Sequence, residues 1–254
     1  MKKYLSVLAL ALRPVLYKAI LITLAAAAAA SLLLYRVPLT YTDEWGNLNL
    51  RTLESLPRQS LATVPCAVGF VAIAALVSLN GCGYGAKTAY TVHRLRIKEP
   101  FFRLLWALSA AVCFLFYWAV LAVVFRYVLE IKGISYTQLP NYPHLWGPQS
   151  LLLAFYGSAF LHHLVPLQDA IIWGEDIVLL LFCSLSAAHF SMKQRQGRFS
   201  VLPIAAILMT AGSFYFPLES SSNLVLLPSA VALFAITLWS ILEGDECRVE
   251  APTV

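Results

Sequence analysis

The chain has 254 residues, 60% of them hydrophobic and 12% charged, with a formal net charge of +5 and a mean hydropathy of +0.74. No core of this size hides that much apolar surface from water, so a soluble globular domain is excluded and an integral membrane protein is expected. The basic residues lie beside the apolar runs and not on a solvated domain, which points to membrane orientation and away from a nucleic-acid partner.

A lipid slab needs about 20 consecutive apolar residues per helix, and runs near that length recur with short polar connectors between them. Helices are the expected spanning elements, because lipid offers no partner to backbone polar groups and the two-residue alternation of a barrel strand is absent. The chain opens "MKKYLSVLALALRPVLYKAILITLAAAAAASLLLY". Arg13 and Lys18 interrupt its early part, and the apolar stretch 19–35 is longer than a signal-peptide core of about 7–15 residues, so a retained first span is expected. The alanine run at 25–30 gives that span a narrow face for close helix approach, or simply supplies a good helix former.

Further spans are expected at 61–80, 104–126, 171–191, 200–216 and 224–242, making six. The stretch "LLLAFYGSAFLHHLV" at 151–165 is short and carries His162 and His163. Charge decides how to treat it. With six spans and the N-terminus inside, thirteen Lys and Arg residues face inward against five outward. If 151–165 crossed as well, the bias would vanish. The expected fold is therefore an all-α polytopic bundle of about six transmembrane helices with both termini cytoplasmic, one membrane domain over 1–254. Residues 127–170 form an extracytoplasmic segment, in which 151–165 is an interfacial or re-entrant helix. Aromatic residues fit this frame: Tyr35, Tyr127, Trp173 and Tyr215 fall near outer ends, Trp106 and Trp239 near inner ends. Trp118 sits mid-span as a packing residue.

The connector 81–103, "GCGYGAKTAYTVHRLRIKEPFFR", gathers five basic residues. A P-loop needs glycine where Ala86 stands, and the dinucleotide fingerprint fails at the same place. "GYG" lies at the inner membrane edge and lacks the rest of a potassium filter. Gly81, Gly83 and Gly85 instead end the second span, with Gly81 and Gly85 forming a small-residue face. From Thr88 to Phe102 apolar and basic residues alternate, as in a segment lying along the inner surface with its charges in water or on lipid phosphates.

The first span with its basic amphipathic lead-in, the connector "YTVHRLRIKEPFF" and the aromatic third span "LLWALSAAVCFLFYWAVLAVVF" together resemble membrane-spanning permease subunits of bacterial type-2 ABC exporters. Local likeness covers residues 84–126 and, more weakly, "SLSAAHFSMKQRQGRF". The resemblance implies a subunit of the bacterial cytoplasmic membrane that pairs with a second permease subunit, as homo- or heterodimer, and is driven by a separate cytoplasmic ATP-binding cassette ATPase. It implies that His93, Arg94, Arg96, Lys98, Glu99, Phe101 and Arg103 dock on that ATPase, and that residues 1–18 form a surface helix bent at Pro14. A plain positive-inside anchor is the competing reading of the connector.

Glu175 and Asp176 enter the fourth span from outside. Acids in a membrane default to a functional reading, here gating or contact with a cationic substrate. A plainer and preferred reading places them in the first helical turn, offsetting the positive macrodipole end. His162 and His163 are neighbours in sequence and point about 100° apart on a helix, so no metal site is expected there. His189 is expected to be hydrogen-bonded within the bundle. The five cysteines form no disulfide or CxxC framework and are expected as packing residues. Pro65, Pro203 and Pro228 fall inside apolar runs and are expected to kink their helices. No nucleophile elbow, triad or paired acids at a span centre appear, so neither enzymatic chemistry nor a cofactor is expected. The alternative to a permease is a non-transporting multi-pass protein, an accessory anchor, immunity factor or sensor whose segment 127–170 binds a partner.

Overall fold

The computed structural model describes residues 2–42, 45, 48–80, 99–137, 148–195, 200–215 and 223–242. In chain order these form α1 (Lys2–Arg36), β1 (Thr40–Thr42), β2 (Leu48–Leu50), α2 (Leu56–Gln59), α3 (Thr63–Leu79), α4 (Glu99–Thr137), α5 (Pro148–Gly157), α6 (Ala159–Leu164), α7 (Ala170–Arg195), α8 (Leu202–Tyr215) and α9 (Asn223–Leu242). Three stretches, Tyr4–Arg36, Pro100–Ser135 and Ala170–Gln194, are long and apolar enough to cross a membrane. Thr63–Leu79, Leu202–Tyr215 and Leu227–Ile241 are apolar but shorter. This is the make-up of an all-α membrane bundle, and it explains why large apolar side chains such as Leu32, Val68, Val123, Leu208 and Ile236 stay exposed around its outside.

Cross-helix contacts fix the direction of each long helix. At one end, Asn80 follows α3 and donates from Nδ2 to the Ala11 carbonyl of α1 at 2.9 Å. Its own carbonyl accepts from Trp106 Nε1 of α4 at 3.1 Å and from Ser191 Oγ of α7 at 2.7 Å. A core of Val7, Ala11, Phe102, Trp106, Met192 and Ile241 surrounds this junction, so the tail of α9 reaches it too. At the other end, Lys132 of α4 is buried and donates from Nζ to the carbonyls of Tyr35 and Val37, at 2.7 and 2.9 Å. A cation there satisfies carbonyls that the end of α1 leaves without helical partners. Phe160 of α6 meets Phe125 of α4 edge-on, with ring centroids 5.1 Å apart, and lies 6.0 Å from the Tyr215 ring at the end of α8. Helices α1, α3, α4, α7, α8 and α9 thus alternate in direction between an Asn80 end and a Lys132 end.

The alanine run has a specific packing partner. Ala26, Ala27 and Ala30 are buried, and α3 presents Gly69 to them. A Cβ on Gly69 would lie 2.6 Å from Ala26 Cβ and 2.7 Å from Tyr117 Oη. Small residues on both sides let α1, α3 and α4 approach closely, which in lipid replaces hydrophobic drive as the packing device.

Four features depart from the sequence reading. First, α1 runs as one helix from Lys2 to Arg36 with Pro14 inside it, and Val7 and Ala11 are buried in the core at the Asn80 end. Burying that face compensates the hydrogen bond proline removes. At 1.5 Å per residue α1 is about 52 Å long, well beyond the roughly 30 Å of hydrocarbon. Second, α4 extends past 104–126 on both sides, because buried Arg103 and Lys132 hold its polar ends inside the protein. Third, the stretch 151–165 is two helices, broken at Ser158, whose extended backbone (φ −96°, ψ 114°) separates α5 from α6. Gly157 sits at the break against Glu54, where a Cβ would run into the carboxylate. Both short helices stay at the Lys132 end. Fourth, β1 and β2 pair antiparallel with Tyr41 opposite Asn49, a small hairpin the sequence reading did not include.

Candidate functional site

The connector residues His93, Arg94, Arg96 and Lys98 lie outside the described residues, as do Cys82 and Cys247. Of the remaining members of that group, Glu99 opens α4, Phe101 is 53% exposed and Arg103 is buried. Arg103 is therefore placed to hold the start of α4 in the bundle. Both ends of the connector leave from the Asn80 junction, where α1, α3, α4 and α7 are tied together by the hydrogen bonds given above.

Glu175 and Asp176 occupy a different position from the one the sequence suggested. Helix α7 starts at Ala170 and has no acid in its first turn. Its N-terminus is served by Asp169, whose Oδ1 accepts from the Ile171 amide at 3.2 Å. Glu175 and Asp176 lie one turn deeper and are 0% and 3% exposed, so macrodipole compensation does not account for them. They are held by side chains from two other elements. His163 of α6, itself 3% exposed, places Nδ1 3.0 Å from Asp176 Oδ1. Ser213 of α8 donates to Glu175 Oε1 at 2.6 Å. The second oxygen of each carboxylate, Glu175 Oε2 and Asp176 Oδ2, is buried with no hydrogen-bond partner among the described residues.

His162 and His163 separate as helical geometry requires. His162 turns toward Asp169, 4.0 Å away, and toward the ring of Tyr156, while His163 turns inward beneath Phe214, with ring centroids 5.4 Å apart. The break at Ser158 and the turn through Pro166 allow this: α6 folds back so that its inner face meets the second turn of α7.

Beside the cluster lies a cavity of about 40 Å³. Its walls are the rings of Phe70, Phe114, Tyr117, Trp118, Phe214 and Tyr215, and Asp176 is its one charged lining residue. Neighbouring rings support one another: Phe70 lies 5.4 Å from Phe114 and 5.9 Å from Tyr215, and Trp118 meets Trp173 edge-on at 5.5 Å. Trp118 is thus a packing residue with a second aspect, because its buried Nε1 has no hydrogen-bond partner among the described residues. Thr210 also lines the cavity; its hydroxyl donates to the Ala206 carbonyl at 2.8 Å and sits 3.0 Å from Cys183 Sγ. Cys66, Cys113 and Cys183 are free and buried, and Tyr117 donates to the Cys66 carbonyl. Among the described residues no group of three His, Cys, Asp or Glu could hold a metal ion.

Sequence reading named Glu175, Asp176 and His163 but not the pairing of His163 with Asp176, and it missed Ser213 and the hub residue Asn80. The pairing of His163 with Asp176 depends on how α6 folds back, which no spacing rule records. Asn80 carried one available signal, since a polar amide closing an apolar run commonly caps a helix and bonds to its neighbours. No family model, curated protein or solved structure matches the chain.

Proposed function

We propose that this chain is the membrane permease subunit of an ATP-binding-cassette exporter, a six-span protein of the bacterial cytoplasmic membrane with both termini and the basic connector on the inner side. The reading rests on the sequence resemblance of the connector and third span. One structural observation supports it above others: Asn80 and Trp106, which flank the connector, are hydrogen-bonded to each other and to α1 and α7. A push on the connector would therefore reach three long helices at once, as transmission from an ATPase to a pathway requires. The ends of α3 and α7 meet at the Asn80 junction, which supports assigning the connector and the basic stretch "KQRQGR" to one side. Buried acids and a histidine inside an apolar bundle also favour a transport role over a passive anchor.

In this role the chain performs no chemistry on its substrate. A cytoplasmic ATPase supplies the energy and a second permease subunit completes the pathway. The test is purification in mild detergent after expression with the neighbouring genes. A P-loop ATPase should co-purify, and charge reversal at Arg94 and Arg96 should release it or uncouple its hydrolysis. Full function with both arginines reversed, together with loss of partner binding on deletion of residues 140–166, would support the accessory-protein alternative instead.

A further inference from the structure

The geometry points to the aromatic cavity beside Asp176 as a binding site for a substituted ammonium group. This rests on the cavity itself and does not depend on the exporter reading. Three observations meet there.

The first is the wall. Six aromatic residues line a space of about 40 Å³, and ring faces attract cations through their quadrupoles. A hard metal ion would require about six oxygen ligands, whereas rings with one carboxylate suit a cation whose charge is spread over N–H or C–H groups. The second is the carboxylate. Asp176 is 97% buried by its 3% exposure, lines the cavity, and leaves Oδ2 without a hydrogen-bond partner among the described residues. The third is charge balance. The cluster holds two carboxylates, Glu175 and Asp176, against one imidazole, His163. Among the described residues no Lys or Arg lines the cavity, so any negative charge on the two acids faces only His163 and the neutral Ser213 and Thr210. A bound ammonium group would supply a counter-charge, donate an N–H or C–H to the free Oδ2 and rest on the rings. The space, equal to about three water-sized positions, admits such a group and not a bulky solute. A larger ligand would insert only its cationic end.

The probes are methylammonium and tetramethylammonium chloride, titrated into the full-length protein in phosphatidylglycerol nanodiscs, with sodium chloride at equal ionic strength as reference. Binding is read by isothermal titration and by the shift in thermal unfolding. A saturable response to either probe beyond the sodium reference is expected. Asp176→Asn, which keeps the shape of the side chain, and Trp118→Leu, which keeps the carboxylate, should each weaken it about tenfold or more. Unchanged unfolding cooperativity in at least one of them separates lost binding from lost folding. Adding phosphatidylethanolamine to the discs distinguishes the source: if it abolishes the soluble response, the ammonium group belongs to a lipid headgroup, and if it does not, to a free solute. No response beyond the sodium reference in either kind of disc would overturn the assignment and leave the cavity to water. A response undiminished in both variants would overturn it as well.

Discussion

His163 Nδ1 lies 3.0 Å from Asp176 Oδ1, and this bond joins a short helix that stays at one end of the bundle to a long one that runs its full length. Breaking a buried pair by removing one partner costs about 3–5 kcal/mol, because the other group is left uncompensated. Asp176→Ala and His163→Ala are each expected to destabilise the protein by that order in detergent unfolding. The double variant should show a coupling energy of about 1–3 kcal/mol. Additive single effects would mean that the two side chains do not interact in the folded protein.

Ser213 supplies the companion bond to Glu175 at 2.6 Å. Ser213→Ala leaves Glu175 with both oxygens unpartnered among the described residues, at an expected cost of about 1–3 kcal/mol. Glu175→Gln should recover part of that loss in the Ser213→Ala background, since a neutral amide is cheaper to bury than a carboxylate. Thermal unfolding of the three proteins side by side checks the order.

Lys132 closes the other end of α1, with its ammonium on two carbonyls and 4.9 Å from the Tyr35 ring centroid. Lys132→Met keeps much of the side-chain volume and removes the charge. It is expected to cost about 1.5–3 kcal/mol, the worth of a charged hydrogen bond, and to speed amide exchange in the last turn of α1 before the rest of the helix. Uniform exchange along α1 would show that the lysine does not hold that end.

Two glycines give opposite expectations. At Gly69 an added methyl meets Ala26 and Tyr117 in van der Waals overlap, whereas at Gly174 nothing lies within 4 Å. Gly69→Ala should destabilise by about 1–3 kcal/mol through overpacking. Gly174→Ala, within α7, should stabilise by up to about 1 kcal/mol through helix propensity. Equal effects at the two sites would contradict the close approach of α1, α3 and α4.

Leu61, between α2 and α3, has φ 53° and is largely exposed. A left-handed conformation costs a residue with a side chain about 1–2 kcal/mol. Leu61→Gly removes that strain with little loss of packing and should raise stability by about 0.5–1 kcal/mol. A clear loss of stability would mean that the Leu61 side chain packs where the fold leaves it exposed.

Much of the architecture could be read from the residues because lipid imposes its own spacing. The expected runs 19–35, 104–126, 171–191 and 224–242 fall within α1, α4, α7 and α9, and 61–80 and 200–216 contain α3 and α8, whereas 151–165 takes in part of α5 and all of α6, two short helices. Helix ends were harder to place. Hydropathy stops counting where Arg103 and Lys132 begin, yet both are buried and α4 continues through them. Proline suggested a bend at position 14; α1 continues through it, with Val7 and Ala11 buried on the way. The polar cluster was visible only by halves. Two acids in an apolar run can be seen in a sequence; their partners His163 and Ser213 come from other helices and are brought there by a turn that leaves no periodic trace.

The orientation of the connector carries the whole functional account, and site-directed labelling measures it most directly. A single cysteine at Thr91, in a chain with the five native cysteines replaced, is exposed to a membrane-impermeant maleimide in intact cells and then after permeabilisation, beside a second single cysteine at Ser150. The account predicts that position 150 reacts in intact cells and that position 91 reacts only once the membrane is opened. Labelling of position 91 from outside intact cells would contradict it, because no cytoplasmic ATPase could then reach the connector.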